Sequence, residues 1–98
     1  MHTCDKIEAL REHLAAKRGE GATVGLVPTM GYLHEGHQQL IERAAGESDV
    51  IITTIFVNPL QFAPHEDLDS YPRDPIGDAR KAREAGSTVL FVPTPEEM

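Results

Sequence analysis

Val50-Ile-Ile-Thr-Thr-Ile-Phe-Val57 is the stretch from which the fold is read. It is β-branched and almost continuously apolar, and such a run suits a central parallel strand buried on both faces. Two shorter runs flank it at a distance. Thr23-Val-Gly-Leu-Val27 is ended by Pro28, and Thr88-Val-Leu-Phe-Val92 is closed by Pro93 and Pro95. Both read as strands. Between the runs the apolar spacing becomes helical. Ile7, Leu10, Leu14 and Ala15 form a stripe over Asp5–Arg18, with Asp5 and Glu8 resembling a capping box and Lys17-Arg18-Gly19 a stop. Gly36–Ala45 carries Leu40, Ile41, Ala44 and Ala45 at the same kind of spacing, and Pro75 opens a third helix that runs through Ala85 to Gly86. The order α-β-α-β-α-β implies right-handed crossovers and a Rossmann-like parallel sheet with flanking helices. Three parallel strands leave two open edges, so further cover for one edge is expected, as in a piece of a larger protein.

The composition narrows the function classes. The chain has 98 residues, is 40% hydrophobic and 26% charged, and carries a formal net charge of -7. One domain fits this length. An acidic balance argues against nucleic acid, which needs clustered Lys and Arg. Phosphate would have to be held locally, by backbone N–H groups, His or a metal ion. No run approaches the ~18 to 20 apolar residues of a membrane span, and the first residues lack the apolar core of a signal peptide. The chain reads as cytoplasmic. Its single cysteine, Cys4, excludes an internal disulfide and is expected to lie near a frayed N-terminus.

The chemistry concentrates in Val27-Pro-Thr-Met-Gly-Tyr-Leu-His-Glu-Gly-His37, between the first strand and the second helix. Ligands of open α/β sheets sit beyond the carboxyl ends of the strands, and a helix N-terminus offers unpaired N–H groups to phosphate. Gly31 and Gly36 let the backbone approach a ligand closely. His34 and His37 are three residues apart and point to one side of a helical first turn, where imidazole N–H groups can stabilise a departing phosphate. Taken alone, such a pair fits polar capping and surface residues better than a phosphate site. Zinc is disfavoured, since no other residue offers ligand-like spacing.

Three strings together resemble one family. Pro28-Thr-Met-Gly-Tyr-Leu-His-Glu-Gly-His37, Ile55-Phe-Val-Asn-Pro-Leu-Gln-Phe62 and Glu66-Asp-Leu-Asp-Ser-Tyr-Pro-Arg73 are similar, in that order, to segments of the pantothenate synthetase (pantoate–β-alanine ligase) family. The His-x-Gly-His element alone places the chain only in the wider nucleotidylyltransferase superfamily. The resemblance implies that residues 1–98 form the N-terminal part of a nucleotide-binding domain, with the rest of that domain and a C-terminal domain absent. It also implies an AMP-forming carbon–nitrogen ligase that makes pantothenate, on the route to coenzyme A, through pantoyl adenylate.

Carried over position by position, Met30, Gly31, Tyr32, Leu33, His34, Glu35, Gly36 and His37 would contact ATP, with His37 and His34 as the catalytic pair. Gln61 would bind pantoate against the β-alanine site. Pro28, Thr29, Phe56 and Asn58 would line the same pocket. Mg²⁺ would be held mainly through ATP, and no metal-binding residue is assigned. A homodimer is also implied. For His37 a neutral N–H donor is expected rather than a proton donor, because a helix N-terminus disfavours imidazolium. Glu66, Asp67 and Asp69 are read as a solvated charge run, Tyr71-Pro-Arg73 as a turn, and Asp78 as a first-turn carboxylate favourable to its helix dipole. By itself the chain is expected to carry half a site and to be inactive. The competing readings are a binding or oligomerisation module, and a related nucleotidylyltransferase with another acceptor.

Overall fold

The direction in which the strands are laid down decides where the helices go. In the computed structural model, which describes residues 1–57, 73–94 and 96, the elements in chain order are β1 (His2–Cys4), α1 (Ile7–Gly19), β2 (Val24–Thr29), α2 (Glu35–Glu47), β3 (Val50–Ile55), α3 (Pro75–Ala85) and β4 (Val89–Phe91). The sheet order is β1-β4-β3-β2, and every pairing is parallel. The chain crosses the whole sheet from β1 to β2, then returns strand by strand. Right-handed crossovers in opposite directions put α1 on one face and α2 with α3 on the other.

The side chains follow that division. Ile51 and Leu90 point to the α2–α3 side and pack with Val27, Leu33, Ile41, Ala82 and Ala85. Val50, Ile52, Val89 and Phe91 alternate to the other face, where Ile7, Leu10 and Leu14 of α1 cover them. Along β3 the residues Val50 to Thr53 are all buried, as a strand covered on both faces requires.

Four expectations change in detail. The sheet has four strands among the described residues, because His2–Cys4 pairs with Val89–Phe91. Cys4 is therefore not in a frayed end: it is buried against Val89 and Phe91, and burial, with Asp5 beside it, raises its thiol pKa. The Asp5–Glu8 capping box does not form. With the chain extended through Cys4, α1 starts at Ile7 behind Lys6, and no side chain caps it. Finally, β2 runs on through Pro28 to Thr29. It is a sheet edge, where a residue without an N–H costs the ladder little.

Candidate active site

The carboxyl ends of β2 and β3 lie side by side, and two hydrogen bonds tie the first loop to that rim. The Thr29 hydroxyl donates to the Thr54 carbonyl at 2.9 Å and accepts the Gly31 N–H at 3.1 Å. Thr29, read as a substrate-pocket residue, thus also shapes the turn. Gly31 sits at φ +83°, and a Cβ there would stand 3.0 Å from Ile55 Cγ2 and 3.2 Å from Asp78 Oδ2. Both the left-handed backbone and the close approach require glycine.

Tyr32 follows at φ 52°, the one described non-glycine residue with positive φ. Holding a bulky residue there costs about 1–2 kcal/mol. Asp78 of α3 offsets it. Its Oδ2 accepts the Tyr32 N–H at 2.9 Å and its Oδ1 the Leu33 N–H at 2.7 Å. Hydrogen bonds to a charged group contribute about 1.5–3 kcal/mol each, so the pair outweighs the strain of the turn. One turn along α3, Lys81 Nζ donates to the Leu33 carbonyl at 3.0 Å. The Leu33 side chain is 2% exposed and belongs to the core, so this residue faces the site through its backbone alone.

The sequence reading treated Asp78 as a dipole partner of its own helix. Instead it is 2% exposed and grips residues 45 and 46 positions away. A signal was available: Asp78, Ala82 and Ala85 share one buried helix face, so a carboxylate stood on an apolar stripe.

The next four residues start α2. His34 is the N-cap, with extended backbone; its Nδ1 accepts the Gly36 N–H at 3.0 Å, while His37 Nδ1 accepts the His34 N–H at 3.1 Å. This is a reciprocal cap built from two imidazoles. An Nδ1 that accepts carries no proton, so each neutral ring holds its hydrogen on Nε2. The rings lie 4.0 Å apart, tilted by 34°. Gly36 permits the arrangement, since a Cβ on it would stand 2.8 Å from His34 Cε1. Partial burial, helped by neighbouring His34, lowers the His37 pKa below its ordinary 6.5, and Asp78 opposes the shift. The neutral donor expected for His37 agrees with this direction.

Beside the turn lies a mostly apolar cleft of about 260 Å³ at the carboxyl ends of the strands, lined in part by Met30, Gly31, Tyr32, Phe56, Asp78 and Val92. Met30, Gly31, Tyr32 and Phe56 thus come together in one place. His34, Glu35, Gly36 and His37 stand at the helix start and do not line the cleft. Pro28 and Glu35 are exposed. Asn58 and Gln61 lie outside the described residues, as do the acidic positions Glu66, Asp67 and Asp69 and the first two residues of the expected Tyr71-Pro-Arg73 turn; Arg73 itself is exposed and lines the cleft. Among the described residues no group of three or more His, Cys, Asp and Glu could hold a metal ion.

A parallel α/β sheet with a glycine-bearing loop and a histidine-capped helix at its carboxyl rim defines the class: a nucleotidylyltransferase-type fold. The family follows from comparison. A sequence model of the pantoate-beta-alanine ligase family matches residues 2–98, and the chain belongs to that family. It is 51% identical over 98 residues to the pantothenate synthetase of Bacillus velezensis, covering 100% of this chain and 34% of that protein. To the pantothenate synthetase of Rhizobium johnstonii it is 54% identical over 98 residues, covering 100% of this chain and 32% of that protein.

The crystal structure of pantothenate synthetase from Thermus thermophilus superposes with a TM-score of 0.89 at 47% identity, over 100% of this chain and 34% of that one. The pantoate-beta-alanine ligase of Francisella tularensis, solved with beta-gamma ATP and beta-alanine, gives a TM-score of 0.83 at 35% identity, over 99% of this chain and 37% of that one. The chain spans about a third of the length of the curated relatives it matches.

Proposed function

We propose that this chain supplies the phosphate-loop third of a ligase that joins pantoate to β-alanine at the expense of ATP. The observation that carries the reading is the reciprocal histidine cap, which turns two Nε2–H donors away from their own helix in a chain of this family. The Francisella relative was solved with a form of ATP and with β-alanine, which supports both as substrates here.

In the first step a pantoate carboxylate oxygen attacks the α-phosphorus of ATP, the bond to the bridging oxygen breaks, and pyrophosphate leaves with its electrons. Negative charge grows on the departing oxygens. Two fixed neutral N–H donors stabilise it without any proton changing hands. In the second step the β-alanine nitrogen attacks the acyl carbon of pantoyl adenylate, AMP departs, and the nitrogen loses its extra proton to water. Neither step needs a covalent enzyme intermediate, so the protein contributes alignment and charge stabilisation.

Met30–His37 would contact ATP, through backbone alone at Leu33. Gln61 and Asn58, just past β3, would orient pantoate with Pro28, Thr29 and Phe56. Mg²⁺ arrives on the nucleotide as part of the substrate. A homodimer and a cytoplasmic location belong to the same proposal. No helix among the described residues is long and apolar enough to cross a membrane.

The test is pyrophosphate release by the intact protein carrying this chain. Release from Mg-ATP that requires pantoate, followed by AMP and pantothenate on adding β-alanine, is expected. Release that requires a different carboxylic acid or another acceptor would overturn the substrate assignment. Activity of residues 1–98 alone would overturn the half-site reading.

A further inference from the structure

Tyr32 and Leu33 present two adjacent backbone N–H groups beside the cleft, a donor pair well suited to a phosphate oxygen. A carboxylate of the chain's own already holds both, at 2.9 and 2.7 Å. We propose that Asp78 is a positioning residue that acts as an internal anion: by occupying these two N–H groups it keeps the nucleotide's phosphates out of the turn and directs them onto the Nε2–H donors of His34 and His37.

Three features of its setting support this role. Asp78 is 2% exposed and fixed on the buried face of α3, so it does not swing away to release the pair. Lys81, one turn on, holds the Leu33 carbonyl at 3.0 Å, so α3 grips both the donors and the acceptor of the same short segment. The carboxylate also lines the cleft, and its Oδ2 would lie only 3.2 Å from a Cβ on Gly31. Arg73 and Asp74 line the same cleft, so the charge there is mixed, and it is Asp78, bonded to both N–H groups, that bars a phosphate oxygen from the turn itself. Beyond the turn, the helix start remains as the phosphate-accepting surface, and the histidines stand there.

This inference rests on the reading of the chain as part of an ATP-dependent ligase, and the test separates the two. In the intact protein, Asp78→Asn keeps the shape of the side chain but leaves one acceptor oxygen for two donors. The kcat for pantoate-dependent pyrophosphate release is expected to fall by about tenfold or more, as for a misplaced reacting group. The KM for ATP is expected to stay level or fall. Added pyrophosphate should inhibit about threefold more strongly, because a freed N–H admits it. Hydrogen exchange at Tyr32 and Leu33 should quicken.

A rise in the KM for ATP, an unchanged kcat, or unchanged exchange at the two amides would overturn the proposal. Should Asp78→Asn unfold, Tyr32→Gly relieves the strain of the turn, and the Asp78→Asn/Tyr32→Gly pair is read against Tyr32→Gly alone with the same criteria. Failure of the wild-type protein to release pyrophosphate would defeat the ligase reading instead, while the exchange measurement still decides whether Asp78 holds the turn.

Discussion

Three described helices begin at the carboxyl rim of this sheet; α1 has no side-chain cap, and α2 and α3 satisfy their first N–H groups in different ways. α3 uses Asp74, whose Oδ1 accepts the Gly77 N–H at 3.1 Å, with Pro75 opening the helix. α2 uses two imidazoles that cap each other's backbone. A carboxylate cap only accepts. A neutral imidazole accepts through Nδ1 and keeps a donor on Nε2, so the same residue that completes the helix can also bind an anion. The start of α3 presents only acceptors: Asp74 and Pro75 line the cleft, and Asp78 reaches into the neighbouring loop. The start of α2 stands outside the cleft but keeps two Nε2–H donors, which in the proposed function meet the phosphates. The difference also makes α2 sensitive to pH, because a protonated ring can no longer accept.

Substitutions should separate these roles, beginning with the largest effect. Replacing His34 or His37 by Ala should lower pantoate-dependent pyrophosphate release by about 100-fold, the usual loss for one charge-stabilising donor. Steady-state assay of the intact protein checks this, and a loss confined to thermal stability would reduce the histidines to caps. Gly31→Ala should destabilise the protein by about 2 kcal/mol, since it forces φ +83° on a side chain and crowds Ile55 and Asp78. Thermal unfolding measures it. Asp74→Ala should cost about 1 kcal/mol of stability through the lost cap, with kcat retained in the folded fraction. Parallel unfolding and activity measurements would show whether the start of α3 is as inert as it looks.

The smallest effect concerns acid. His37 is lowered in the folded state, so below about pH 6.5 the unfolded chain binds more protons than the folded one. The stability this group contributes is complete above that pH. It declines as pH falls from there through the folded pKa. His37→Gln should remove that part of the pH dependence, and urea unfolding from about pH 7.5 to 5 would detect it.

How much of this could be read from the residues depends on whether the deciding contact is local. The bounds of α3 were legible because Pro75 and Gly86 mark them in the sequence, and Gly86 takes φ 113° as a helix-ending glycine should. The core of β3 was legible because an unbroken apolar run has few other places to go. β1 was not. Its three residues include exposed His2 and Thr3, and only pairing with Val89–Phe91 makes them a strand.

The site divides along the same line. The spacing of the two histidines pointed to the helix caps that the structure shows, and only the family-like string around them suggested more. The grip of Asp78 on Tyr32 and Leu33 joins segments 45 and 46 residues apart and has no local pattern beyond a carboxylate on an apolar face. The extent of β2 through Pro28 likewise depended on its edge position, which topology alone decides.

Nitrogen-15 NMR of the intact protein reports the protonation and tautomer of His34 and His37 directly, before and after adding Mg-ATP. Both rings should accept through Nδ1 and carry their hydrogen on Nε2, His37 should titrate below its ordinary 6.5, and ATP should shift the Nε2 resonances most. A His37 imidazolium at about pH 7, a hydrogen on Nδ1 of either neutral ring, or Nε2 resonances indifferent to ATP would contradict the histidine cap as the phosphate-binding element.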